Sequence, residues 1–421
     1  MNEKILVTCE SAPNIALIKY WGKKNESLIL PLNGSISITL DKNVLCTKTS
    51  ILLRKSSLNS SKKIQLCLNG SKQEFDDNEL SSQHSKEDDL LNRKRFFTML
   101  NKVRENCAIN EPYTYEIRIA TFNNFPTACG LASSASGLAC MAQCLAAAFD
   151  YKGDVSELAR LGSGSACRSC FGGFVKWNSD DQSKKSIASA LFSSKHWPEL
   201  NVLVLILEDE KKKVSSTNGM QISVKTSDLL RYRVKLVEEE RLNEMYSSIE
   251  KKDFSGVGKL AMRDSNCFHA ICMDTYPPLF YLNDKSKELI RLIDEYNKFE
   301  QIEAENLKVF YSFDAGPNAF LFALDEHLNE LSYLINLVYF AELDHNEFLN
   351  TFLIRNLSIK ISEIDSKRKV IVKEYFKKFI YEKENIFMKY LIHSKVGDDP
   401  NIIYDDFSKS LFENEEIKIN I

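Results

Sequence analysis

The segment Asn123–Gly137, NNFPTACGLASSASG, carries the first decision about the fold. A strand-like start runs through Pro126 and a turn at Gly130, Leu131 and Ala132 to Ser133 and Ser134. Beyond them Leu138, Met141, Leu145 and Phe149 recur at helical spacing with Ala, Gly and Cys between them. Strand, glycine turn and helix in that order gather unpaired backbone N–H groups and the positive end of a helix dipole at one place, which suits phosphate. Ser133 and Ser134 stand where a hydroxyl either caps the helix or bonds phosphate oxygens or a metal ion. The segment is not a Walker A loop, because GxxxxGK[ST] is absent, and HRD and DFG kinase signatures are absent too.

Three further clusters offer charge to an anion. Gly162–Gly173, GSGSACRSCFGG, sets Arg168 among Ser163, Gly164, Ser165, Ala166 and Cys167. A lone arginine either is a surface charge or, embedded in such small residues, lines a pocket where its planar fork matches a carboxylate or phosphate at two points. Ala12–Lys23, APNIALIKYWGK, crowds Lys19 and Lys23 against Tyr20 and Trp21 around Gly22. Two cations suggest an anion, while an aromatic core plug with snorkelling lysines is the plainer alternative. Asp314 ends an apolar run directly before the turn Ala-Gly-Pro-Asn. A carboxylate there either accepts turn N–H groups or serves as a base for a hydroxyl near phosphate.

Around these clusters, Ser35–Leu40 (SISITL) and Tyr115–Ala120 (YEIRIA) alternate as half-buried strands, and Ser56–Ser61 and Asp76–Asn92 suit surface loops. Val202–Leu207 is apolar throughout and fits a buried strand. From Ser227 the pattern turns helical, with Leu230, Val234 and Val237 on one face and Glu288–Tyr296 amphipathic. Residues 309–324 fit strand, tight turn, strand. Residues 366–385 mix Lys with Glu and suit a solvated helix face.

A chain of 421 residues exceeds the roughly 250–300 at which one core stops growing, so two domains are expected, 1–195 and 196–421. A formal net charge of −3, from 55 basic and 58 acidic residues, gives no global pull toward nucleic acid or membrane, so an anion must be bound locally. The N-terminus lacks a continuous apolar stretch and a small-residue cleavage pattern, and a cytoplasmic location is expected. The cysteines are scattered, and Cys167 and Cys170 form a CxxC without partners at zinc spacing, which fits reduced packing thiols and no metal site.

Together, APNIALIKYWGK, LNGSISITL, NNFPTACGLASSASG, GSGSACRSCFGG, KKVSSTNGMQ, RDSNCFHAICMDTYPP and FDAGPNA resemble, in order, the diphosphomevalonate decarboxylase family of the GHMP kinase superfamily. The resemblance implies an α+β fold with an N-terminal domain like ribosomal protein S5, a ferredoxin-like C-terminal domain and an active site in the cleft between them. It implies ATP-dependent conversion of (R)-5-diphosphomevalonate to isopentenyl diphosphate, carbon dioxide, ADP and phosphate through phosphorylation of the 3-hydroxyl, with Mg2+ held mainly by ATP oxygens.

By the same resemblance Asp314, Arg168 and Lys19 are catalytic. Tyr20 to Lys23, Ser163 to Arg168, Ser216 and Thr217 contact the substrate, and the segment Gly130 to Ser134 binds ATP phosphates. A homodimer follows by analogy, with 5-diphosphomevalonate as partner molecule and neither nucleic acid nor membrane. A sister kinase that stops at phosphorylation is opposed by KYWGK, GSGSACR and DAGPN together. A catalytically dead binding homologue is opposed by intact Asp314, Arg168, Ser134 and Lys19.

The sequence departs from the family pattern in three places. The family's substrate arginine after the LNG turn is missing, and Arg95, with Arg93 second, is the replacement. Cys129 stands for a usual alanine, either as a small filler or as a thiol with a lowered pKa at a helix N-terminus. Residues 330–390 are longer and more charged than the family's, which suggests an extra helical insertion, before KVGDDPN returns to the pattern.

Overall fold

The computed structural model describes residues 4–56, 63–76, 87–125, 133–210, 212–300, 306–340, 342, 359–380 and 388–418. Pro126–Ala132, which includes Cys129, Gly130, Leu131 and Ala132, and most of Ser56–Ser61 therefore lie outside the described residues.

The first half opens with β1 (Lys4–Ser11), β2 (Asn14–Ile18), β3 (Lys23–Asn25), β4 (Leu30–Pro31), β5 (Ser35–Thr39), β6 (Thr47–Lys55), β7 (Lys63–Leu68) and β8 (Ser71–Asp76). It continues through α1 (Glu87–Glu105), β9 (Tyr115–Asn123), α2 (Ser133–Phe149), α3 (Val155–Gly162), a 3-10 segment Gly164–Cys170, β10 (Phe174–Trp177) and β11 (Ala188–Phe192). The second half holds β12 (Leu200–Ile206), α4 (Ser216–Thr226), α5 (Asp228–Leu236), α6 (Leu242–Glu250), α7 (Phe254–Asp274), α8 (Asp284–Lys298), β13 (Val309–Phe313), β14 (Ala319–Leu324) and α9 (Asp325–Tyr339). It ends with α10 (Ser366–Phe376), β15 (Tyr390–Lys395) and β16 (Asn401–Tyr404).

One sheet runs β16-β1-β6-β9-β7-β8, with β7 and β9 parallel and its other pairs antiparallel. Because alternate side chains leave opposite faces of a strand, Val7, Ile51, Leu53, Ile117 and Ile119 pack under α1, α2 and α3. Leu6, Leu52 and Ala120 point the other way and meet Leu411, Phe412 and Ile417 from the chain's last segment. Asn401–Tyr404 also pairs with β1, so sequence from both ends builds this sheet.

A second sheet, β11-β10-β5-β2, shares its core with a third, β13-β14-β12-β15. In β12, Val202, Val204 and Ile206 enter this shared core, while Leu203 and Leu205 face α8, α9 and α10. Covered on both faces, β12 is apolar from Val202 to Ile206. The mixture of sheets and packed helices is the expected α+β class.

Two expectations change. The strand at Ser35–Thr39 is buried on both faces rather than one, because the 3-10 segment Gly164–Cys170 covers its polar side, where Thr39 Oγ1 donates to Phe171 O at 2.7 Å. Residues 87–92, expected in a loop, already belong to α1. The Ser366–Phe376 helix buries only Val372 and Phe376. No helix among the described residues is long and apolar enough to cross a membrane.

Candidate active site

Strands β2 and β13 run close together, with Ser312 Oγ donating to Ala16 O at 2.9 Å. Their ends deliver Lys19 and Asp314 to one point, where Lys19 Nζ donates to Asp314 Oδ1 at 2.6 Å. The lysine is 3% exposed and the Asp314 side chain 33%, so the pair has a buried side and an open side. Burial pulls the Lys19 ammonium below the ordinary lysine range, against the opposing pull of Asp314. The Asp314 turn is tight, with Gly316 N donating to Asp314 O at 2.7 Å. Asn318 in the same turn accepts from Leu207 N at 2.8 Å and Glu208 N at 3.0 Å, which anchors it to the end of β12.

Arg168 is buried close to the same pair. Its Nε donates to Asn14 Oδ1 at 3.2 Å and its Nη1 to Ser35 Oγ at 2.7 Å. Asn14 in turn donates to Ser165 O and to Ser169 Oγ. The fork is thus braced by neutral partners; burial pulls the guanidinium below its ordinary range, and it lies near enough to Asp314 and Lys19 to interact with both.

Tyr20 packs edge-on against Trp177, with centroids 4.7 Å apart, and sits so close over Gly164 that a Cβ there would meet its ring at 2.8 Å. Its hydroxyl is buried without a hydrogen-bond partner among the described residues. Trp21 turns away into a small core with Phe268 and Tyr281, its Nε1 donating to Ser223 Oγ at 3.0 Å. The turn that follows Trp21 needs Gly22, whose φ of +92° and close approach to Leu32 exclude a side chain. Lys23 pairs with Glu26 at 2.7 Å.

Of Ser163 to Cys167, Ser163 ends α3, and Ala166 and Cys167 are core residues. Burial pushes the Cys167 thiol up to about 12, and Cys167 and Cys170 are both free. Arg95 Nη2 donates to Thr217 Oγ1 at 3.1 Å, which brings α1 to the first turn of α4. Next to Thr217, Ser216 Oγ accepts from Lys212 Nζ at 2.7 Å, and Lys212 also donates to Ala315 O at 3.0 Å.

These contacts close a ring. Arg95 meets Thr217, Lys212 meets Ser216 and interacts with Asp314, Lys19 holds Asp314, Arg168 interacts with both, and Tyr20 interacts with Arg168 and Arg95. Lys19, Arg168 and Lys212 thus face Asp314 while Arg95 faces Glu26, and such an excess of cations over carboxylates suits a substrate carrying several negative charges. The helix α2 begins at Ser133 and Ser134. Among the described residues no group of three His, Cys, Asp or Glu side chains could hold a metal.

Sequence reading singled out Arg168 and Asp314 but not Asn14, Ser35 or Lys212. Asn14 and Ser35 carried a signal, as polar residues at the mouths of apolar strands. Lys212 lies in a lysine run whose members look alike until the structure separates them.

Two mixed α/β halves that share a core, with a cationic ring and the start of a small-residue helix after a strand, define the class as that of GHMP-kinase-type enzymes. Residues 11–188 match the family model of the diphosphomevalonate decarboxylase-like N-terminal domain, and residues 202–403 match that of the mevalonate 5-diphosphate decarboxylase C-terminal domain. Diphosphomevalonate decarboxylase of Danio rerio is 40% identical over 415 residues, 96% of this chain and 96% of its own length. That of Homo sapiens is 43% identical over 326 residues, 77% of this chain and 78% of its own.

Among solved structures, mevalonate diphosphate decarboxylase from Trypanosoma brucei superposes with a TM-score of 0.79 at 34% identity, covering 97% of this chain and 100% of its own. MDDEF in complex with MVAPP, AMPPCP and magnesium gives a TM-score of 0.67 at 28% identity, covering 95% and 99%. The chain belongs to the diphosphomevalonate decarboxylase family and is an enzyme, a decarboxylase of the mevalonate pathway.

Proposed function

We propose that the cationic ring binds (R)-5-diphosphomevalonate with its carboxylate on Arg168, its diphosphate toward Arg95, Ser216, Thr217 and Lys212, and its 3-hydroxyl on Asp314. Tyr20 and Lys23 complete the wall behind the diphosphate. ATP lies with its phosphates toward Ser133 and Ser134 at the start of α2, where a helix N-terminus favours negative charge. The observation that carries this reading is the Lys19–Asp314 pair at the centre of the ring, in a chain whose relatives include one solved with MVAPP, AMPPCP and magnesium together.

The chemistry follows from a poor leaving group. Loss of carbon dioxide requires electrons from the breaking C–C bond to expel the oxygen on the adjacent carbon, and hydroxide leaves badly. Asp314 orients the 3-hydroxyl and takes its proton as the oxygen attacks the terminal phosphorus of ATP, releasing ADP. The phosphorylated oxygen then departs as phosphate while the carboxylate leaves as carbon dioxide, giving isopentenyl diphosphate. Lys19 fixes the Asp314 carboxylate and offers its charge to the phosphoryl group in transfer.

An ion pair that held the carboxylate tightly would stabilise the group that must disappear. Arg168 therefore acts mainly by orientation, and its two neutral braces suit that role. Magnesium, which the described residues do not surround with ligands of their own, would be held largely by ATP oxygens near Asp314 and would neutralise phosphate charge. The free thiols suit a reducing cytoplasm, and the enzyme acts as a homodimer by analogy with its family.

Arg168→Lys tests the reading, because it keeps the charge and loses the fork. Turnover should fall roughly ten- to a hundredfold, the range expected when a reacting group is misplaced by about 1 Å, while ATP binding is unchanged. Full activity in that variant would remove Arg168 from its assigned place.

A further inference from the structure

We propose that Asp264 is the positioning residue that holds the Lys19 ammonium on Asp314, so that its charge serves the chemical step rather than substrate binding. The proposal rests on the reading of Lys19 and Asp314 as the reacting pair.

Asp264 lies in α7 and is fully buried. Its Oδ2 accepts from the backbone N–H of Lys19 at 2.7 Å and from Arg233 Nη2 at 2.8 Å, and its Oδ1 accepts from Arg241 Nη1 at 2.6 Å. Arg233 also donates Nη2 to Lys19 O at 2.8 Å and Nη1 to Asn33 Oδ1 at 3.1 Å, and Asn33 Nδ2 donates to Lys19 O at 3.0 Å. Lys19 follows the last residue of β2, so its peptide has no neighbouring strand to satisfy it, and side chains of the second half grip both its N–H and its C=O instead.

The next residue of α7 does the same for the other member of the pair. Ser265 Oγ accepts from the N–H of Phe313 at 3.0 Å, immediately before Asp314. Consecutive residues of one helix thus fix the two backbones whose side chains meet. A π turn, Val237–Arg241, delivers Arg241, and such turns often mark functional positions.

A neutral acceptor could satisfy the Lys19 N–H, so the need for a carboxylate lies in charge. The groups facing the Lys19 ammonium are Asp314 after β13, Arg168 from the 3-10 segment, and Asp264 and His269 from α7. Arg233 and Arg241 stand behind Asp264. Burial holds His269 neutral. If Asp264 loses its charge, two buried guanidinium groups are left uncompensated beside a third cation. The ammonium then gives up its proton at lower pH. Loss of Arg241 instead leaves Asp264 less neutralised, and the ammonium keeps its proton to higher pH.

The test measures kcat and KM for 5-diphosphomevalonate across the neutral to alkaline range in full-length wild type, Asp264→Asn, Arg241→Gln, Lys19→Met and Asp264→Asn/Lys19→Met. In Asp264→Asn we expect kcat to fall roughly ten- to a hundredfold with KM little changed, and the alkaline limb of kcat/KM to move to lower pH. The double variant should be no slower than Lys19→Met alone. In Arg241→Gln the alkaline limb should move to higher pH, and this shift decides the matter if Asp264→Asn does not fold. Limbs that stay in place, or losses that add in the double variant, overturn the proposal. An inactive Lys19→Met beside a normal Asp264→Asn overturns the proposal alone, whereas a fully active Lys19→Met removes the reading of the pair on which it rests.

Discussion

At the scale of the residue, the site shows how far a side chain's surroundings decide its chemistry. His269 is buried five residues beyond Asp264 in the same helix, next to the rings of Phe268 and Phe313, and its Nε2 has no hydrogen-bond partner among the described residues. Burial, with help from the nearby Lys19 charge, lowers its pKa from 6.5 to about 3. Between these values the unfolded chain binds a proton that the folded one refuses, so stability is present above 6.5 and is lost as pH falls toward 3. The melting temperature should therefore drop on acidification through this window, less steeply in His269→Asn than in wild type. Equal slopes would show that other groups carry the acid sensitivity.

Arg168 and Asp314 were legible in the sequence because each broke its local pattern: one charge among small residues, one carboxylate at the end of an apolar run. Asp264 and His269 were not, because on a helix of mixed composition nothing local separates a buried charge from a solvated one. Partners more than two hundred residues away, such as Lys19, make the distinction.

At the scale of the element, short caps set the positions of site residues. Ser215 caps α4 by accepting from Asn218 N, and the next two residues are Ser216 and Thr217, which hold Lys212 and Arg95. Ser215→Ala should cost about 1 kcal/mol of stability and raise KM for the diphosphate substrate more than it lowers kcat. A kcat effect with unchanged KM would place the first turn of α4 elsewhere in the reaction. The helix Ser133–Phe149 was readable from its periodicity, and Leu200–Ile206 from its unbroken apolar run. The burial of β5 on both faces was hidden, because its alternating serines and threonine look solvated until the Gly164–Cys170 segment and Arg168 are packed against them. The early start of α1 was hidden by the polar composition of residues 87–92.

At the scale of the whole molecule, the chain's last segment returns to the sheet where it began. Leu411, Phe412 and Ile417 cover Leu6, Leu52 and Ala120, and Asn401–Tyr404 extends that sheet beside β1. Each of the three covering side chains contributes roughly 1.5–3 kcal/mol by burial, and without them an apolar sheet face and the edge of β1 are open to other chains. Ending the chain after Gly397 should therefore lower the melting temperature and promote aggregation, as read by light scattering, although no proposed active-site residue is removed. An unchanged melting curve would mean that this segment is dispensable. The return of the C-terminal strand was not legible in the sequence, since strand pairing across nearly the whole chain leaves no local mark.

The central claim is that phosphorylation and decarboxylation occur on one molecule in one site built around Asp314. The direct measurement incubates the purified protein with ATP, magnesium and carboxyl-labelled 5-diphosphomevalonate and follows ADP and released carbon dioxide together, with Asp314→Asn alongside. The account predicts equal amounts of both products from the wild type and neither from the variant. ADP without carbon dioxide would make the protein a kinase of the 3-hydroxyl, and undiminished turnover by Asp314→Asn would contradict the site itself.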